Sequence, residues 1–152
     1  MNKFFLSVLG LLLISVSAFS KDIRESQVPE QVKACVAKYY PAIYDAEWEY
    51  KNKKNSFFYY KVEFEVENGL DVEMEIDTNG NLISLEEELA TKDIPVFVNT
   101  YVQENYSGAT ILDVDKKIRD NKTYYDAGIR LSNKKHLNIY LDETGKLIKS
   151  RK

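Results

Sequence analysis

The chain has 152 residues, of which 30% are charged and 44% hydrophobic, and its net charge at pH 7 is −3. This acidic balance argues against a nucleic-acid-binding role, which requires a basic stripe. Cys35 is the only cysteine, so no disulfide can form within the chain and its stability must come from packing.

The first 20 residues have the features of a secretory signal peptide. Lys3 precedes an apolar run that ends at Val16, and small side chains just before Lys21 suit cleavage there. The run is shorter than the roughly 20 apolar residues that a membrane-spanning helix needs. We therefore expect residues 1–20 to be removed and 21–27 to form an N-terminal tail. The mature protein is then periplasmic or secreted, without a membrane span.

A short amphipathic helix is predicted next, over Val28–Tyr40. Pro29 stands near its start, where a missing N–H costs a helix nothing, and Pro41 follows its end, where proline stops a helix. Cys35 falls on the apolar stripe of this helix. Because free cysteine behaves as a small buried hydrophobe, we predict that Cys35 lies in the core rather than pairing two chains or reacting.

After this helix the hydrophobic period changes from 3.6 to 2. Apolar side chains alternate with mostly acidic ones over 46–51, 58–66 and 70–77. Such alternation predicts antiparallel strands that are covered on one face only. Trp48 has the apolar parity of its strand, so we expect it in the core.

Turn chemistry predicts the register of these strands. A three-residue loop at Glu67-Asn68-Gly69, with its glycine in the left-handed conformation, aligns Phe64 with Val72. A register shifted by one residue would place apolar side chains opposite acids, so the hydrophobic pattern agrees with the turn. A loop of the same type at Thr78-Asn79-Gly80 aligns Ile76 with Leu82.

The predicted register places two pairs of like charge on the uncovered face: Glu63 opposite Glu73, and Glu65 opposite Asp71. Directly opposed like charges weaken a sheet by a few tenths of a kcal/mol up to about 1 kcal/mol per pair. Such a patch invites a cation or a basic partner surface. The alternative is a solvated face that keeps the sheet soluble, where screening reduces the repulsion.

The same order of features then returns. Ile94-Pro95 opens a second predicted helix that ends at Tyr106, alternating strands follow it, and the Asp77–Gly80 turn is echoed by Asp142–Gly145. A period of about sixty-five residues indicates duplication of one supersecondary unit.

The predicted fold class is therefore α+β, a tandem repeat in which each repeat is one helix followed by a four-stranded antiparallel sheet. The first repeat is expected over 28–88 and the second over 94–152, with a linker at 89–93.

This order of elements, its duplication, the proline-led helices and the aspartate-to-glycine final turn resemble the PepSY-like family of exported bacterial proteins. The fold of that family is similar to that of beta-lactamase inhibitory protein. The resemblance covers residues 28–150. It implies a helix-backed, curved sheet assembled from both repeats, whose uncovered face can meet another protein, and it implies no catalytic residues.

The uncovered face of the second repeat differs in charge from that of the first, because its predicted register sets Arg130 opposite His136. Tyrosine and arginine are over-represented at protein interfaces, so we predict a docking surface there. The predicted partner-binding residues are Tyr59, Glu63, Glu65, Asp71, Glu73, Tyr124, Asp126, Arg130, His136 and Tyr140.

The sequence contains no recognisable catalytic motif: it has no G-x-S-x-G, no H-E-x-x-H and no phosphate-binding glycine loop. His136 has no second histidine and no spaced cysteine with which to bind zinc. Asp77 and the residues after it imitate a calcium loop, but Leu82 stands where that loop requires glycine.

We therefore expect an exported, non-enzymatic binding protein without metal or cofactor. Its uncovered sheet face would contact a protein partner in the manner of an inhibitor. The alternative function is binding of a small cation or a small basic ligand by the acidic face of the first repeat.

Overall fold

The computed structural model describes residues 19–53, 57–67 and 69–151. The expected signal peptide lies outside the described residues except for its last two positions, and Asn68 of the predicted turn lies outside them as well. Within the described ranges, no helix combines the length and the hydropathy that crossing a membrane requires.

Over those ranges the chain forms nine strands and two α-helices. In chain order they are β1 Phe19–Ile23, α1 Glu30–Tyr39, β2 Glu47–Lys53, β3 Phe57–Val66, β4 Leu70–Asp77, β5 Leu82–Glu88, α2 Val96–Asn105, β6 Thr110–Arg119, β7 Lys122–Arg130, β8 His136–Asp142 and β9 Leu147–Arg151. Each strand pairs antiparallel with the next along the chain, so the described strands make one sheet in the order β1 to β9.

The predicted fold class, an α+β tandem repeat of one helix followed by a four-stranded antiparallel sheet, is wrong. β5 pairs with β6 from Ser84↔Arg119 to Glu88↔Asp115, so the sheet continues where the prediction ended it. β1 covers the predicted end of the signal peptide and start of the N-terminal tail, yet it pairs with β2 and extends the sheet further. The physical reason is that an open β5 edge would leave a row of unpaired N–H and C=O groups, which β6 satisfies.

Both predicted helices are present. Pro29 and Pro95 directly precede α1 and α2, where the absence of a proline N–H is harmless. Each helix closes with the same contact, in which the N–H of Tyr40 or Tyr106 donates to a carbonyl four residues earlier at 2.8 Å. The helices cover one face of the sheet through short apolar stripes.

The helix-covered face holds two hydrophobic clusters. The first surrounds Met74 and Ile76 beneath α1, and it includes Cys35 and Trp48, which are 8% and 4% exposed, as predicted. The second surrounds Ile139 and lies beneath α2; it includes Val98 and Val102 of that helix. Each helix therefore seals its own part of a common sheet.

A polar contact lies on the helix-covered side between the two clusters. Glu87 of β5 accepts a hydrogen bond from the Tyr40 hydroxyl at the end of α1, and its other oxygen lies 3.0 Å from Lys116 Nζ of β6. Burial and the Glu87 carboxylate raise the pKa of the Tyr40 hydroxyl, which therefore stays protonated as the donor.

The predicted register of β3 and β4 is confirmed. Phe64 pairs with Val72, Glu63 with Glu73 and Glu65 with Asp71. The pairings predicted across the next turn and in the second half are also confirmed: Ile76↔Leu82 and Arg130↔His136. The acids of β3 and β4 consequently share the face opposite the helices, which is the uncovered face.

Candidate functional site

The register arranges the side chains of the uncovered face in rows that cross the sheet. Because residues of one parity point to the same side of every strand, paired positions on successive strands stay on that face. One such row contains Glu47, Glu63, Glu73, Glu86, Lys117, Tyr124 and Asp142. In this row the glutamates follow one another from β2 to β5, and Lys117 of β6 is the first cation.

A hollow of about 490 Å³, which we call the acidic basin, lies in this negative region. Its charged lining residues are Glu63, Asp71, Glu73, Glu86, Glu88, Asp113 and Asp115. They come from β3, β4, β5 and β6, so the basin depends on the pairing of β5 with β6. Like charges held this close repel one another unless cations lie between them.

Two lysines on the uncovered face partly neutralise the basin. Lys61 Nζ lies 2.8 Å from Glu73 Oε2 and also contacts Glu63. On the other side, Lys117 Nζ lies 3.0 Å from Glu86 Oε1. By contrast, Asp71, Asp113 and Asp115 make no salt bridge to any residue that the structure describes. The negative charge of the basin is therefore only partly balanced.

Asp115 occupies the part of the basin where like charges meet. It pairs with Glu88 on β5 and with Asp126 on β7. Burial, and then the charge of Glu86 together with Asp126 and Asp113, raises the pKa of Asp115 to about 7 despite the opposing charge of Lys117. A cationic group entering the basin would favour the ionised form of Asp115.

A second hollow, also of about 490 Å³, lies beside the acidic basin on the uncovered face. We call it the aromatic hollow. Its lining includes Tyr124, Tyr140 and Ile148 together with the cations Lys117, Arg119 and Lys149. Glu73 and Glu86 line both hollows and so form a shared wall.

Within that hollow, the Tyr140 side chain contacts several cations and one carboxylate. Lys149 Nζ lies 4.2 Å from the centroid of its ring, and Arg151 and Lys117 approach to 5.7 and 5.9 Å. Burial and a hydrogen bond to Asp126 raise the pKa of the Tyr140 hydroxyl. Asp126 is itself only 4% exposed and is bound by Lys117 at 3.1 Å and Asn138 at 3.2 Å. These contacts fix the ring in one position.

The structure brings together only some of the predicted partner-binding residues. Glu63, Asp71 and Glu73 line the acidic basin, and Tyr124 and Tyr140 line the aromatic hollow. Tyr59 and Asp126 have the predicted parity but are only 6% and 4% exposed, so they support the face from within. Glu65 lines an adjoining hollow near Tyr44 that shares Glu63 and Asp71 with the acidic basin, and Arg130 and His136 line a different one near Thr110.

Sequence reasoning missed Glu86, Asp115 and Lys117, which complete the two hollows. They lie on β5 and β6, whose pairing joins residues separated by α2 and its connections. The sequence signal that could have found them is the spacing of acids two residues apart, Glu86 with Glu88 and Asp113 with Asp115.

Among the residues that the structure describes, no three histidine, cysteine, aspartate or glutamate side chains are placed to hold a metal ion.

Three solved structures from Bacteroides species are similar to this chain in fold. A BLIP-like protein from Bacteroides fragilis is 23% identical, with a TM-score of 0.62 over 81% of this chain and 84% of that one. A DUF2874 family protein from Bacteroides uniformis is 21% identical, with a TM-score of 0.63 over 81% and 88%. A Bacteroides eggerthii structure described as "putative periplasmic proteins" is 15% identical, with a TM-score of 0.64 over 82% and 88%. At these identities the likeness shows the fold alone.

No curated protein matches the sequence. A family model does: the one described as "Putative beta-lactamase-inhibitor-like, PepSY-like" matches residues 15–84 and again 59–149. The two matches together span most of the chain, and they agree with the resemblance that the proline-led helices and aspartate-to-glycine turns indicated. The chain therefore belongs to the PepSY-like, beta-lactamase-inhibitor-like family.

Proposed function

We propose that this protein is a periplasmic, inhibitor-like binding protein whose uncovered sheet face contacts a protein partner. The description of its family and of the BLIP-like neighbour supports the inhibitor-like role. The signal-peptide features of residues 1–20 and the description of the Bacteroides eggerthii neighbour support a periplasmic location.

The observation that carries this proposal is the arrangement of the uncovered face. The helices lie on the other side, so this face can meet a partner without any rearrangement of the core. Ion pairs across the strands, such as Lys61–Glu73 and Arg119–Glu75, hold its side chains in place. A surface that is already ordered loses less side-chain entropy when it binds.

The proposed role needs no catalysis, and the two hollows are suited to binding. They combine tyrosines, which are enriched at protein interfaces, with charges that select partners by complementarity. Long-range attraction of a basic partner would raise the association rate and would weaken with added salt.

A capture experiment from periplasmic extract tests the proposal. The immobilised protein is compared with a triple variant on the uncovered face, Glu63→Lys/Glu65→Lys/Glu73→Lys. A control of equal charge change, Glu25→Lys/Asp93→Lys/Glu104→Lys, alters exposed acids outside this face. We expect the native protein and the control to retain the same saturable partner, and the face variant to lose it.

Circular dichroism shows first that both triple variants are folded. Equal recovery of the same proteins by the face variant and the control would contradict the proposed use of this surface. If the face variant retained the partner and the control variant lost it, the proposed use of this surface would also be contradicted.

A further inference from the structure

We propose that the uncovered face binds a basic-x-aromatic segment of its partner, with the basic side chain in the acidic basin and the aromatic ring in the adjoining aromatic hollow. This inference rests on the function proposed above and specifies the chemistry of the partner. It derives from the side-by-side placement of two unlike hollows with a common wall at Glu73 and Glu86.

The acidic basin supplies the site for the basic side chain. Seven carboxylates line it, whereas the two lysines that approach it are engaged with Glu63, Glu73 and Glu86. Asp71, Asp113 and Asp115 have no salt bridge within the described part of the chain. A guanidinium or ammonium group would relieve their mutual repulsion and form charge-assisted hydrogen bonds with them.

The aromatic hollow supplies the site for the ring. Tyr124, Tyr140 and Ile148 provide flat and apolar surface, and Arg119 and Lys149 provide cations at its margin. An aromatic ring gains here both from offset packing on tyrosine and from contact of its negative face with a cation. A small side chain would gain neither.

The register sets the spacing between the two side chains. Asp115 lines the basin and Lys117 lines the aromatic hollow, and they stand two residues apart on β6. Side chains at i and i+2 of an extended segment point the same way and lie about 7 Å apart. A partner segment running along the strands would therefore match the hollows with one residue between its basic and aromatic side chains.

An NMR titration of the full folded protein, labelled with ¹⁵N, tests this inference. The probe is a blocked pentapeptide of sequence Gly-Arg-Gly-Phe-Gly. Three comparison peptides are used. Gly-Glu-Gly-Phe-Gly reverses the charge, Gly-Arg-Gly-Gly-Gly lacks the aromatic ring, and Gly-Gly-Gly-Phe-Gly lacks the charged side chain. We expect saturable shifts confined to amides of β4 to β8, with an affinity at least about tenfold higher than for any comparison peptide.

Conservative variants localise the effect. Asp115→Asn should weaken the probe's affinity by about tenfold, as loss of one charge-assisted contact predicts. Tyr140→Leu should reduce it through loss of the ring contact. Glu104→Gln on α2 is the control and should leave it unchanged.

Equal affinity for the acidic comparison peptide, or shifts centred away from the two hollows, would overturn the inference. Argininamide that binds as tightly as the pentapeptide would also overturn it, since a small basic ligand would then suffice. If the pentapeptide fails while the face variant still loses its captured partner, the segment chemistry is wrong and the proposed function stands. If the capture is also unaffected, both are wrong.

Discussion

Ionisation of Asp115 is unfavourable in the folded protein because of where this residue lies on the uncovered face. A surface aspartate is ordinarily ionised at neutral pH. Here burial, and then the charges of Glu86, Asp126 and Asp113, raise the pKa of Asp115 to about 7. The folded protein therefore retains a proton that the unfolded chain releases near pH 4. Binding surfaces commonly hold such unfavourable charge because a partner can neutralise it.

The variant Asp115→Asn tests this cost directly. Since the folded-state pKa lies above the unfolded one, the folded protein binds more protons between about pH 4 and pH 7, and its stability falls as pH rises through that window. Asparagine cannot ionise, so we expect the variant to be more stable at pH 8 by about 1 kcal/mol, after allowance for solvent screening of a half-exposed group.

Urea unfolding at pH 5 and pH 8 measures this difference, with Glu104→Gln as the control for loss of one exposed acid. The stability advantage of Asp115→Asn should be larger at pH 8 than at pH 5. An equal difference at the two pH values would show that Asp115 carries no raised pKa.

Among the elements, the hairpins were the most predictable from sequence. Their registers depend on a local turn and on strands that are neighbours in the chain, so Glu63↔Glu73 and Arg130↔His136 could be predicted. The pairing of β5 with β6 is not local, because α2 lies between them, and no turn specifies it. The basin was therefore predicted only on its β3 and β4 side.

The turn between β4 and β5 is constrained both by its own backbone conformation and by its contact with α1. Gly80 has φ +86°, and a Cβ there would lie 2.6 Å from the backbone oxygen of Gln31 on α1. The Gln31 side chain also donates to Thr78 O at 3.2 Å. The absence of a side chain at Gly80 thus lets the hairpin end approach the helix.

We expect Gly80→Ala to lower the free energy of unfolding by about 1–3 kcal/mol, through both left-handed backbone strain and displacement of α1. Gly69→Ala is the matched control, because Gly69 has φ +70° but its nearest atom, in the Glu65 side chain, is 3.9 Å away. Chemical denaturation should show the larger loss for Gly80→Ala. Equal losses would mean that contact with the helix contributes nothing.

At the scale of the whole molecule, the sheet is continuous while the apolar core is divided. The clusters around Met74 and Ile139 are distinct, yet β5 and β6 join their strands through a regular ladder and through Glu87, which contacts Tyr40 and Lys116. Exposing either side of that ladder would leave unpaired backbone groups in the middle of the sheet. The two clusters should therefore unfold together. Because the lining of the acidic basin comes from both sides of the β5–β6 ladder, the same ladder keeps the basin rigid.

The variant Ile139→Ala tests this coupling, because the single tryptophan, Trp48, lies in the other cluster. Ile139 is fully buried, so its truncation should cost about 2–5 kcal/mol. If the sheet unfolds as one unit, the Trp48 fluorescence transition and the far-ultraviolet circular dichroism transition should move together to lower urea. Ile148→Ala, the same change at a half-exposed position, should shift neither by much. A Trp48 transition that stays in place while the dichroism signal splits into two steps would show that the two clusters are independent, and that the basin between them can open.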